Sequence, residues 1–158
     1  MSYPLRAFKT VLASQAAPGS LFRCKGRWSI KVDAEHIADQ EVGQMLMLDG
    51  PDAGALALAP KEEALVVADG FDWAIFVDDI AGADIVEHLP AVRISRDGAL
   101  LYGHLWGHRD ELQAVTSLGQ PVKDDGDRFY IQDFSIWLVD EAKHQVGSQP
   151  LLRVSRPA

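Results

Sequence analysis

Apolar and polar residues alternate almost without error from Phe22 to Val32. Phe22, Cys24, Gly26, Trp28, Ile30 and Val32 take one parity, and Arg23, Lys25, Arg27, Ser29 and Lys31 the other. Successive side chains of an extended backbone point to opposite faces. The pattern therefore predicts a half-buried strand with an apolar inner row and a cationic outer row. Four of the 15 basic residues of the chain fall in that outer row.

Before this stretch the spacing changes. Leu5, Phe8, Val11 and Leu12 share one face at helical period behind Pro4, so a short N-terminal helix is expected over about 4–17, stopped by Pro18-Gly19. A second helix fits 34–42, with Asp33 as N-cap and Gly43 as terminator. The short apolar runs Gln44–Leu48, Ala55–Ala59, Ala64–Ala68 and Trp73–Asp78 read as strands, with Asp69-Gly70-Phe71-Asp72 as a hairpin connection. Asp97-Gly98 suits the positive φ of a tight type I′ turn and would join Ala91–Arg96 to Ala99–Trp106.

Asp110–Leu118 reads as a brief helix closed by Gly119 and Pro121. Phe129–Val139 reads as a long strand with Phe134, Ile136 and Leu138 on one face, and Leu151–Val154 as the last strand. About eight or nine strands and roughly two to four short helices make this an α+β chain, mainly an antiparallel sheet or a partly closed β-barrel. Its 158 residues suit one globular domain over 1–158, with no repeat or linker to divide it.

Charge narrows the partners. With 23 acidic and 15 basic residues the net charge is −8, which repels nucleic acid and anionic membrane and attracts a basic protein surface. One cysteine excludes an internal disulfide and a thiolate-rich metal cluster, and a cytoplasmic location is the expectation. Charges at Arg6 and Lys9 interrupt any signal-like apolar run, and no apolar stretch is long enough to span a bilayer.

Arg23, Lys25, Arg27 and Lys31 form the first candidate site. Such a row can dock an acidic patch on a protein partner or on a second copy of this chain. It can equally protect a sheet edge or face carboxylates on a neighbouring strand. Nucleic acid is disfavoured, because base stacking needs aromatics on the same face and Trp28 has the inner parity. Cys24 shares that parity and reads as an inert core thiol.

Tyr102, His104, Trp106 and His108 form the second candidate. On one strand they project together, opposite Leu101, Gly103, Leu105 and Gly107. The two glycines there would let another backbone approach closely. The row could line a pocket for a flat or polar small molecule, or simply pack beneath a loop. As metal ligands His104 and His108 would stand about 13 Å apart on a strand, beyond the reach of one ion. Only a turn near Trp106 would gather His104, His108 and Glu111. No cofactor is implied.

Asp78-Asp79 ends an apolar run, where Asp78 could act as an acid or base. The simpler account has Asp79 capping a helix over 80–89. Asp124-Asp125-Gly126-Asp127 fails the ligand spacing of a calcium loop. Nucleophile-elbow, phosphate-loop, dinucleotide and zinc-protease motifs are all missing. The expectation is a non-enzymatic domain that binds another protein, self-association included, through Arg23, Lys25, Arg27 and Lys31 with Tyr102, His104 and Trp106. The alternative is a small-molecule-binding barrel or metal-assisted enzyme with its pocket at Tyr102, His104, Trp106 and His108. Single-stranded nucleic-acid binding, which would weaken steeply with salt, comes third.

Overall fold

Pairing between distant segments, more than local propensity, decides this structure. The computed structural model describes residues 2–33, 44–80, 90–95, 98–105, 108–123 and 130–156, with the backbone alone at 95, 105 and 108–111. The first strands in chain order are β1 (Phe8–Leu12), β2 (Leu21–Cys24), β3 (Arg27–Lys31), β4 (Met45–Met47), β5 (Ala55–Ala57), β6 (Glu63–Val67) and β7 (Phe71–Val77). There follow β8 (Ala91–Ser95), β9 (Gly98–Leu105), β10 (His108–Thr116), β11 (Pro121–Val122), β12 (Phe134–Asp140) and β13 (Leu152–Val154). Ten of them build a large sheet in the order β1-β6-β2-β3-β4-β5-β9-β10-β11, with β8 also on β9. The order β13-β12-β7 makes a second, small sheet.

The α+β expectation is thereby corrected. The chain is mostly β, with 52% strand and 5% helix, and the large sheet is mixed and does not close into a barrel. Helix among the described residues is confined to the 3₁₀ turns Leu5–Ala7 and Ala13–Gln15. None is long and apolar enough to cross a membrane.

Where a helix is expected over 4–17, β1 runs antiparallel to β6, with Thr10 opposite Leu65. The supposed apolar face is not a buried face, since Leu5 is 92% exposed. β-branched Thr10 and Val11 favour the extended form once a partner strand is present. The expected helix at 110–118 is likewise β10, paired with β9, and Val115 and Ala114 are buried in two different clusters. Asp69-Gly70 is a turn but not a hairpin, because β6 joins the large sheet and β7 the small one. The helix proposed at 34–42 lies outside the described residues, as does the one at 80–89 from residue 81 on.

Several strands fall where the pattern puts them. The β8–β9 hairpin pairs Ser95 with Gly98. Phe134, Ile136 and Leu138 are all fully buried on one face of β12. The main core lies between the two sheets, where Phe134 and Ile136 meet Leu21, Ile30, Leu46 and Leu101. A satellite cluster of Ala13, Ala16, Phe22, Cys24, Ala64 and Val66 covers the other face of the large sheet. Adjacent Leu21 and Phe22 are therefore both fully buried.

The most consequential correction falls on Phe22–Val32, which folds as a hairpin. Lys25 and Gly26 have φ of 51° and 75°, the two left-handed central residues of a type I′ turn. Cys24 pairs with Arg27 and Arg23 with Trp28. Cross-strand partners share a face, so this two-residue turn reverses the parity, and Arg23 sits on the same face as Trp28.

Candidate functional site

Once the parity reverses, the four cations of the expected row go to four different surroundings. The Arg23 guanidinium stacks 5.5 Å from the Trp28 ring centroid. Lys25 sits exposed at the turn tip, 2.8 Å from Glu62 Oε1, and that hydrogen bond raises its pKa. Arg27 lies against Gly50. Lys31 is only 8% exposed, and its ammonium donates to the Ser14 carbonyl at 2.7 Å and the Ala13 carbonyl at 3.4 Å. Cys24 is a buried free thiol whose pKa is raised first by burial.

The Tyr102–His108 row is also divided, between β9 and β10. β9 ends at Leu105 and His108 stands opposite it on β10. Trp106 lies outside the described residues, as do the side chains of His108 and Glu111. Tyr102 is buried edge-on to Tyr130, 5.0 Å between ring centroids. His104 is buried and its backbone N–H donates to the Gly54 carbonyl at 2.9 Å. That approach depends on Gly103, where a Cβ would collide with Leu46 and the Gly54 carbonyl. Among the described residues no group of three His, Cys, Asp or Glu side chains could hold a metal ion.

Asp78 falls in a more connected setting. Its Oδ1 accepts a hydrogen bond from Ser135 Oγ at 3.1 Å, and Ser135 Oγ accepts one from Trp137 Nε1 at 3.1 Å. Asp78 Oδ2 stands 3.5 Å from Arg153 Nε. Strand register assembles this group. Phe76, Ser135 and Arg153 are mutually opposite across β7, β12 and β13, which puts all three on the outer face of the small sheet. Phe76, 37% exposed, meets half-buried Trp137 edge-on at 6.3 Å. Asp78 thereby orients the Ser135 hydroxyl, which in turn orients the Trp137 indole N–H.

Asp133 anchors this face from below. Its carbonyl accepts the N–H groups of Asp78 and Asp79 at 2.9 and 3.3 Å. Its carboxylate accepts the backbone N–H and Nε of Arg156, both at 2.9 Å. The Arg156 backbone hydrogen bond is the first cause of a pKa held below the ordinary 3.8. A carboxyl with a lowered folded pKa stabilises the fold above its unfolded value, and that contribution is lost as pH falls through the folded value. Asp133→Asn should therefore flatten the fall in melting temperature below pH 3.8. Identical acid limbs for variant and parent would contradict this.

Lys31 opens onto a cleft of about 510 Å³. Its walls come from the second 3₁₀ turn and the residues after it (Ser14, Ala16, Pro18), the end of β3 (Val32, Asp33), and Gln44 with the Leu58–Lys61 loop. Gln44 Oε1 accepts the Ala59 N–H at 3.2 Å and ties two of these walls together.

No family model, curated protein or solved structure matches the chain, so function rests on these geometries alone. Reasoning from the sequence missed Phe76, Trp137, Ser135 and Arg153. Parity within each strand separates outward from inward residues, but only the β7–β12–β13 register brings them together.

Proposed function

We propose that this chain is a non-enzymatic binding domain that recognises a basic segment of a partner protein on the outer face of its small sheet. The supporting observation is the Phe76–Trp137 pair, an aromatic anchor left partly open beside a fixed polar group. Buried aromatics flanked by ordered hydrogen-bonding groups are the residues that most often dominate interface energetics. Charge supports a basic occupant. Asp72 and Asp78 flank Phe76 along β7, and their cations Lys143 and Arg153 stand off at 3.7 and 3.5 Å. Exposed pairs of this kind contribute little, so a partner's lysine or arginine can compete for the carboxylates. The net charge of −8 adds long-range attraction.

Selection of a random displayed-peptide library against the full chain tests this. Enriched peptides should combine Lys or Arg with an apolar anchor and bind Phe76→Ser about tenfold more weakly, the loss of one good anchor. Peptides that bind Phe76→Ser as well as the parent would refute the assignment.

A further inference from the structure

We propose that the cleft at Lys31 binds a small molecule with a carboxylate head and an apolar body, independently of the protein-binding face. The first argument is charge balance. A buried cation is ordinarily compensated by an anion, because desolvating it costs several kcal/mol. Among the described residues, the acceptors around the Lys31 ammonium are the neutral carbonyls of Ala13 and Ser14. An ammonium carries three donors, and the two carbonyls account for two of them among the described residues, which leaves the third to a ligand in this proposal. Burial lowers the pKa of this group, the direction expected when desolvation is not offset.

The shape of the site gives the second argument. A volume of about 510 Å³ falls within the range of small-ligand clefts, roughly 300–1,000 Å³. Apart from Lys31, the walls are chiefly Ala16, Pro18, Val32, Leu58, Ala59 and Pro60. Leu58 is 57% exposed at this cleft, an apolar side chain that a ligand body would cover. Lys61 adds a second positive charge to the lining, and Asp33 is the acidic residue on the same walls, already engaged in an interaction of its own. Apolar walls with a buried ammonium favour an amphiphilic acid over inorganic phosphate, whose full hydration such walls cannot replace.

Hexanoate is a suitable probe, with hexanamide as its uncharged counterpart, titrated into the full ¹⁵N-labelled chain and followed by amide chemical shifts. Saturable shifts are expected at Ser14, Leu58 and Ala59. Hexanamide should bind about tenfold more weakly, the loss of a charge-assisted hydrogen bond. Lys31→Gln should abolish binding. Because Lys31 also holds the Ala13–Gln15 turn, two variants that leave it in place complete the test. Lys61→Glu and Leu58→Ser should each weaken hexanoate by about threefold, one through charge and the other through lost apolar contact. The proposal fails if no saturable shift appears at these amides by about 20 mM, if hexanamide binds equally well, or if both wall variants bind like the parent. Phe76→Ser leaves this cleft untouched, so its effect on peptides and the hexanoate titration fail or succeed separately.

Discussion

Gly119→Ala is expected to destabilise the chain by about 3–5 kcal/mol, because a strained backbone angle and a collision with fixed backbone act together. Gly119 closes the turn between β10 and β11 at φ +77°. A Cβ there would fall onto the Gly19 nitrogen and the Lys31 carbonyl oxygen. Neither can move freely, since the Gly19 N–H donates to that same Lys31 carbonyl at 2.8 Å. The Gly119 carbonyl in turn accepts the Asp33 N–H at 2.8 Å. For a chain of this size a loss of that order corresponds to a melting temperature lower by about 10 °C or more. Gly98→Ala is the control. It has φ +117° but no atom of the described residues within 4 Å of its Cβ position, so it should carry the angular cost of about 1–2 kcal/mol alone. If the two variants melted together, the loops around Gly19 and Gly119 would not be as close as described.

Phe134→Ala should cost about 3–5 kcal/mol, the usual loss for emptying a fully enclosed aromatic site. Phe134 is 0% exposed and lies on the central strand of the small sheet, opposite Val154 on one side and Val77 on the other. It belongs to the cluster that joins the two sheets, so the cavity would open at their contact and not at a surface. Phe134→Leu keeps most of the volume and should cost less, about 1–1.5 kcal/mol. Urea unfolding at constant m distinguishes these values, and a Phe134→Ala loss under about 1 kcal/mol would place the ring outside the core.

The inner face of β12 was legible because Phe134, Ile136 and Leu138 alternate with polar or half-buried neighbours and are flanked by turn residues. The same rule misled at Phe22–Val32. A two-residue turn inserted into a period-two pattern leaves the alternation intact and reverses which row faces inward. The signal was present in Gly26, a glycine with a polar neighbour inside an otherwise unbroken strand pattern. Local spacing predicts helix over 4–17 and 110–118, where the chain instead forms β1 and β10, because spacing carries no information about a strand partner far along the chain. The destination of Lys31 was beyond sequence altogether, since it depends on two carbonyls of a turn that periodicity does not locate.

One junction of the large sheet differs in kind from the others. Among the described residues β5 and β9 form its one parallel contact, two residue pairs long, with Ala55 opposite His104 and Leu56 opposite Leu105. On one side stand β1 to β6, on the other β8 to β11. Parallel pairing is slightly weaker per residue than antiparallel, so this junction resists opening less than the equally short antiparallel joins of β2 to β6 and β4 to β5. Native-state amide exchange should therefore be faster at the amides that join β5 to β9 than in the antiparallel hairpins on either side, while the shared core and the Asp33–Gly119 hydrogen bond keep global unfolding cooperative.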